Sequence, residues 1–206
     1  MINARELFGD IDIYLFDQIL KNRFSTQMSI LDAGCGAGRN LIYFLRSGCK
    51  VFGVDQNPEA IRYVRALAQS LAPELPAENF QVSKVEEMPF PDKRFDAVIS
   101  SAVLHFAGSE QHFNGMLAEM WRVLKPKGLL FVRLASSIGI EDKIKLIEGR
   151  RCHLPDGSER FLVDEELLLQ TANKLGGILT EPLKTTNVQN LRCMTTWIMR
   201  KEAARQ

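Results

Sequence analysis

Short apolar runs alternate with longer amphipathic ones along most of the chain. Ser29–Ala33, Val51–Asp55, Phe80–Val82, Phe95–Ser100 and Leu129–Leu134 are each brief and rich in Val, Ile, Leu, Ala or Phe. Runs of that length and composition predict buried strands. Between them the spacing turns helical. A helix-forming run follows from Asn40 to Leu45, and a helix spans Pro58–Leu71 before the Pro-broken loop Ala72–Glu78. His112–Leu124 places Phe113, Met116, Leu117, Met120 and Trp121 on one face, and Pro126-Lys127-Gly128 breaks the run. Upstream, Ile11, Leu15, Phe16, Ile19 and Leu20 mark an N-terminal helix. Such a β–α–β succession predicts a parallel sheet with helices on both faces.

The tail reads differently. Leu179–Val188 and Arg192–Arg200 alternate around Gln189-Asn190, which predicts an antiparallel pair closing the sheet. Ahead of it, Ala135–Leu175 is an insertion. Arg151–Leu154 and Ser158–Phe161 flank the turn Pro155-Asp156-Gly157, a hairpin signal, and Asp164 opens a helix ending at Gly176-Gly177. The expected fold is a doubly wound α/β domain with a mostly parallel seven-stranded sheet, an antiparallel C-terminal strand and a lid insertion. One domain spans residues 1–206: a helical cap (1–27), a core (28–134), the lid (135–175) and the strand pair (176–206).

Composition narrows the function classes. The 206 residues carry a formal charge of +1, which gives no reason to expect nucleic acid or an anionic membrane as partner. The apolar runs fall well short of the ~18 residues of a spanning helix, and Met1–Asp10 has no signal core. A cytoplasmic protein is expected. Cys35, Cys49, Cys152 and Cys193 lack any zinc or disulfide spacing, so no metal is expected.

The chemistry concentrates after the first strand, in Asp32-Ala33-Gly34-Cys35-Gly36-Ala37-Gly38-Arg39-Asn40. Glycines at alternate positions between a strand and a helix let a ligand lie against backbone. The dinucleotide fingerprint is G-x-G-x-x-G. Here Gly38 comes one residue early, and Arg39 holds the expected place. Asp55 ends the second strand about 20 residues on, where a carboxylate accepts from two ribose hydroxyls. Asn57, ahead of Pro58, suits a helix cap and leaves Asp55 for the ligand. The Ser100-Ser101 turn falls at the same carboxyl edge.

The segment Leu31–Asn40, with Glu86–Asp96 and Leu124–Gly128, resembles the motifs of the class I S-adenosylmethionine-dependent methyltransferases, which have a Rossmann-like fold. The Gly38-Arg39-Asn40 ending and the strand-four pattern are also similar to the tellurite-resistance type of small-molecule methyltransferase. The resemblance implies S-adenosylmethionine as cofactor, S-adenosylhomocysteine as product and a small-molecule acceptor. RNA or protein methylation, or cofactor binding without catalysis, are the alternatives. It implies a cofactor site of Asp32, Gly34, Cys35, Gly36, Arg39, Asn40, Asp55, Gln56, Val85, Glu86, Ser100 and Ser101. Asp32 would approach the methionine amino group, Asp55 the ribose, Val85 the adenine, and a Ser100 or Ser101 carbonyl the ammonium. Lys84 stands where the family often has Asp, and a lysine accepts no bond from the adenine amino group. Glu86 is the expected substitute. His105, just past the fourth strand, is the candidate base. Arg151, His153, Arg160 and Phe161 of the lid are the candidate acceptor contacts, and His112 is expected at the surface.

Overall fold

A computed structural model describes residues 3–203; the expected segment ends at residues 1–2 and 204–206 lie outside them. Strands are β1 (Ser29–Ala33), β2 (Lys50–Asp55), β3 (Phe80–Val82), β4 (Phe95–Ser101), β5 (Leu124–Ser136), β6 (Lys145–Glu148), β7 (Arg151–His153), β8 (Glu159–Phe161), β9 (Gly177–Leu179), β10 (Lys184–Val188) and β11 (Arg192–Lys201). Helices are α1 (Ala4–Phe8), α2 (Ile13–Leu20), α3 (Ile42–Arg46), α4 (Pro58–Leu71), α5 (Glu110–Val123) and α6 (Glu165–Leu175).

The central sheet runs β10-β11-β5-β4-β1-β2-β3. Strands β1 to β5 are mutually parallel, and β11 lies antiparallel between β5 and β10. Successive residues of each inner strand face opposite layers. Leu31, Phe52, Val98 and Leu130 enter a core with Phe113, Met116 and Trp121 of α5 and Leu168 of α6. Ile30, Val51, Ile99 and Phe131 enter another, with Leu15 of α2, Phe44 of α3 and Ile61 and Val64 of α4. This two-sided burial holds the carboxyl ends of β1, β2 and β4 at one edge.

Several elements differ from the expected ones. The tail strand before β11 is broken at Thr180–Leu183, where Pro182 removes a backbone donor; β9 and β10 pair with successive stretches of β11. Seven positions across the sheet thus hold eight strands. The segment Lys125–Gly128 interrupts no strand: it is a bulge within β5, with Lys127 at φ 66°. The helix after the glycine loop is only five residues long and begins at Ile42. On α2, Leu20 is exposed, while Gln18 is fully buried and donates to Asp17 and Glu181. The insertion divides. Strands β6, β7 and β8 form a separate antiparallel sheet over a small core of Ile140, Cys152, Leu154 and Leu162, whereas α6 packs into the main core. Among the described residues no helix is long and apolar enough to cross a membrane.

Candidate active site

The loop after β1 is shaped by contacts that leave little choice of residue. Gly34 has φ 83°, and a Cβ there would sit 2.4 Å from Val103 Cγ2. Gly36, at φ 53°, is the opposite case: a Cβ would meet no protein atom within 4 Å. The space beside Gly36 is open. Its N–H donates to Asp55 Oδ2 at 2.9 Å, and Asn57 N–H donates to Oδ1 at 2.9 Å. Asn57 does cap α4, accepting from Glu59 N–H. Asp55 is therefore tied by one backbone donor per oxygen rather than free, and each oxygen keeps a lone pair for a ligand hydroxyl.

A cavity of about 280 Å³ opens beside this loop, lined by Gly34, Asp55, Gln56, Lys84, Val85, Glu86, Ala102, Val103, Phe106, His112 and Met116. His112, expected at the surface, lines it. Gly108 N–H donates to its Nδ1 at 3.1 Å, and its Nε2 lies 3.3 Å from Glu86 Oε1 without forming a hydrogen bond. Beneath the loop, Asp32 is 1% exposed, and neither oxygen has a partner. Burial raises its pKa to about 7; Arg39 opposes the rise and Asp55 adds to it. Arg39 reaches across to Ser101 Oγ at 3.3 Å. Ser101 donates to Asp12 Oδ2, which also accepts from Arg133 Nη1 at 3.1 Å, and Asn40 Oδ1 accepts from Asp12 N–H. Ser100 is fully buried.

A second cavity, about 350 Å³, shares Ala102 and Phe106 with the first. Its other walls are His105, Arg133, Ala135, the hairpin residues Leu154, Asp156, Ser158 and Arg160, and Val188, Arg192 and Met194. Ala102, at the junction, has φ 63°, a strained value for a residue with a Cβ. His105 is 5% exposed and accepts from Ala135 N–H at Nδ1, 3.2 Å away. Burial, then Arg160 and Arg133, lower its pKa to about 4. At neutral pH it is an uncharged imidazole whose hydrogen sits on Nε2. A base needs a lone pair there, so the arrangement opposes the role expected for His105.

Residues 31–132 match the model of a methyltransferase domain family. That segment, 102 of the 206 residues, belongs to the class I S-adenosylmethionine-dependent methyltransferases. It is 40% identical over 122 residues to the thiol S-methyltransferase TMT1B of Rattus norvegicus, covering 57% of this chain and 47% of that one. The chain spans about half the length of the curated relatives it matches. Its fold is shared with an S-adenosylmethionine-dependent methyltransferase of Methanosarcina mazei (TM-score 0.74, 21% identity, 90% of this chain and 97% of that one). It is shared too with the 1,6-didemethyltoxoflavin-N1-methyltransferase of Burkholderia thailandensis, solved with 1,6-didemethyltoxoflavin and S-adenosylhomocysteine (TM-score 0.70, 21% identity, 95% and 79%).

The residues of this site fit the family's cofactor. An enclosed carboxylate without a partner calls for a cation, and the cofactor carries an ammonium. The open side of Gly36 and the free lone pairs of Asp55 suit a sugar laid against backbone. Of the residues expected from the sequence, Gly34, Asp55, Gln56, Val85 and Glu86 line the first cavity. Asp32, Cys35, Asn40, Ser100 and Ser101 are buried off its lining; Cys35 fills space, its thiol pKa pushed up by burial. Arg39 caps the Ser101 side. Arg160 reaches the second cavity, but the other lid contacts do not. Arg151 and His153 lie beside Glu159, 3.0 and 3.4 Å away, and Phe161 is 1% exposed and stacked on Phe113 in the core. Phe161 anchors the hairpin instead of touching a ligand. No local pattern in the sequence marks Phe106, Asp12 or Arg133 as site residues. Asp12 caps α2, accepting from Tyr14 N–H; its contacts to Ser101 and Arg133 join positions 89 and 121 residues apart, which no local pattern signals.

Proposed function

We propose that this domain transfers a methyl group from S-adenosylmethionine to a small-molecule acceptor seated in the 350 Å³ cavity. The observation that carries this reading is adjacency: Ala102 and Phe106 line both cavities, so two ligands there would meet across one wall. When bound, the cofactor supplies a methyl group on a sulfonium sulfur; the acceptor's electron pair makes the new bond to carbon while the C–S pair returns to sulfur. Such a step needs alignment above all, with reacting atoms ~3–3.5 Å apart.

The chain's own contribution is to bind, orient and exclude water. Asp55 accepts the ribose hydroxyls, and Asp32 with a Ser100 or Ser101 carbonyl holds the ammonium. Val85 offers backbone to the adenine, and Glu86 takes the place of the family's Asp beside Lys84. The hairpin Leu154–Arg160 covers the acceptor and keeps water from the reaction. With His105 presenting N–H and the Asp156 carboxylate tied to Ser158 and Arg192, no free base stands among the described residues of the second cavity, so the acceptor reacts as an amine, thiolate or oxyanion already formed. The thiol acceptor named for the rat relative belongs to that set. The narrower similarity to tellurite-resistance enzymes rests on Gly38-Arg39-Asn40 and the strand-four pattern. A cytoplasmic site is in keeping with four buried, unpaired cysteines.

Calorimetry tests the cofactor half. S-adenosylhomocysteine should bind and NAD should not. Asp55→Ala should weaken binding by about 1.5–3 kcal/mol for each charge-assisted bond lost. NAD binding with no heat from either sulfur compound would overturn the reading.

A further inference from the structure

The second cavity is unusually rich in cations for its size. Arg133, Arg160 and Arg192 line it with a single carboxylate, Asp156. Asp156 is already occupied: Oδ1 accepts from Ser158 N–H and Oγ–H, and Oδ2 pairs with Arg192 at 3.5 Å. Arg133 is held from behind by Asp12. Arg160 differs. Among the described residues it has no carboxylate partner; one guanidinium nitrogen donates to Glu159 O, and the group lies over the Phe106 ring, 4.9 Å from its centroid. That stacking fixes the plane of the fork and leaves its remaining N–H groups for a ligand. His105 supplies a neutral donor, because Ala135 N–H occupies Nδ1. The rest of the wall is apolar: Ala135, Leu154, Val188 and Met194.

We infer that the acceptor is a small carboxylate with an apolar body. Its carboxylate is held by the Arg160 fork, and His105 Nε2–H is a second donor. This rests on the reading that the second cavity takes the acceptor. The physical ground is charge: an unpaired guanidinium in a walled cavity is satisfied by an anion, and a planar fork matches a carboxylate bidentately. Size sets the class. A cavity of about 350 Å³ is at the small end of ligand pockets and matches a small molecule. The apolar wall sets the body, since purely hydrated anions gain nothing from Leu154 and Met194.

The test uses the full chain with benzoate, phenylacetate and 2-mercaptobenzoate, each beside its uncharged amide. Melting temperature and calorimetric heat are read with and without saturating S-adenosylhomocysteine. At least one carboxylate should bind and raise the melting temperature while its amide does neither. Arg160→Gln should weaken that binding at least tenfold and leave S-adenosylhomocysteine affinity within about twofold; Arg160→Lys should restore part of the loss. Amides binding as well as carboxylates, an undiminished affinity in a folded Arg160→Gln, or no binding by any of the three carboxylates would overturn the inference. The cofactor-product titration is scored separately. Carboxylate binding with no heat from S-adenosylhomocysteine would support the anion pocket and sink the methyl-transfer reading beneath it.

Discussion

Asp32 is enclosed with both oxygens unpartnered, and its carboxyl titrates near pH 7. Its folded pKa is raised, so the empty folded state holds a proton that the unfolded chain releases above about pH 4. Stability from this group is therefore greatest in acid and declines as pH rises from about 4 to about 7. A bound ammonium favours the carboxylate, so cofactor affinity should move the other way. S-adenosylhomocysteine binding should weaken up to tenfold per pH unit below 7, with a proton released on binding; Asp32→Asn should flatten that profile and bind more weakly throughout. Calorimetry from pH 5.5 to 8 in buffers of different ionisation enthalpy reads both effects, and a flat wild-type profile would dismiss this role. Gly36 gives a sharper steric test. No protein atom opposes a Cβ there, so Gly36→Ala should lose cofactor binding at least tenfold while costing stability only about 1–2 kcal/mol for its positive φ. Normal binding by Gly36→Ala would mean the cofactor lies elsewhere. Asp32, Gly36 and Asp55 were legible because strand, loop and second strand fix their spacing. His112 and Phe106 were not, since nothing local distinguishes a cavity-facing residue at a helix start from a solvated one.

At the scale of elements, the hairpin depends on Phe161. Stacked on Phe113 with centroids 5.1 Å apart, it ties β8 to α5 and holds Arg160 over Phe106. Phe161→Ala should cost about 3–5 kcal/mol in denaturant unfolding. If the ring only touched a ligand, stability would stay within about 0.5 kcal/mol. The sequence located elements best where local chemistry is strong. Strand β1, helix α4 behind its Asn57-Pro58 cap, and the Pro155-Asp156-Gly157 turn lie where expected. It failed where local signal is thin. Every residue of β6 is exposed, so no alternation marks it as a strand. Helix α6 looks like part of the insertion along the chain, yet Leu167, Leu168 and Ala172 join the main core, a choice made by tertiary packing. The β5 bulge hides behind Pro126 and Gly128, which in isolation signal a break.

For the whole molecule, the two-layered core serves to hold one sheet edge rigid, and the three features that define the site come from distant segments. The glycine loop and Asp55 come from the first 55 residues, Ala102 to Phe106 from the middle, and Arg160 from the hairpin. Only the first of these carries a sequence signature; the cation-rich second cavity emerges from the assembled fold. The charge balance of +1 conceals it, because the arginines cluster only in three dimensions. The central claim is that this fold moves a methyl group onto a small molecule. Its most direct test incubates the purified protein with methyl-labelled S-adenosylmethionine and a cell extract, then separates small molecules, protein and RNA before counting. Label should enter the small-molecule fraction, bind an anion exchanger there, and fall by at least tenfold with Gly36→Ala. Label confined to protein or RNA, or no transfer above a boiled control, would contradict the account.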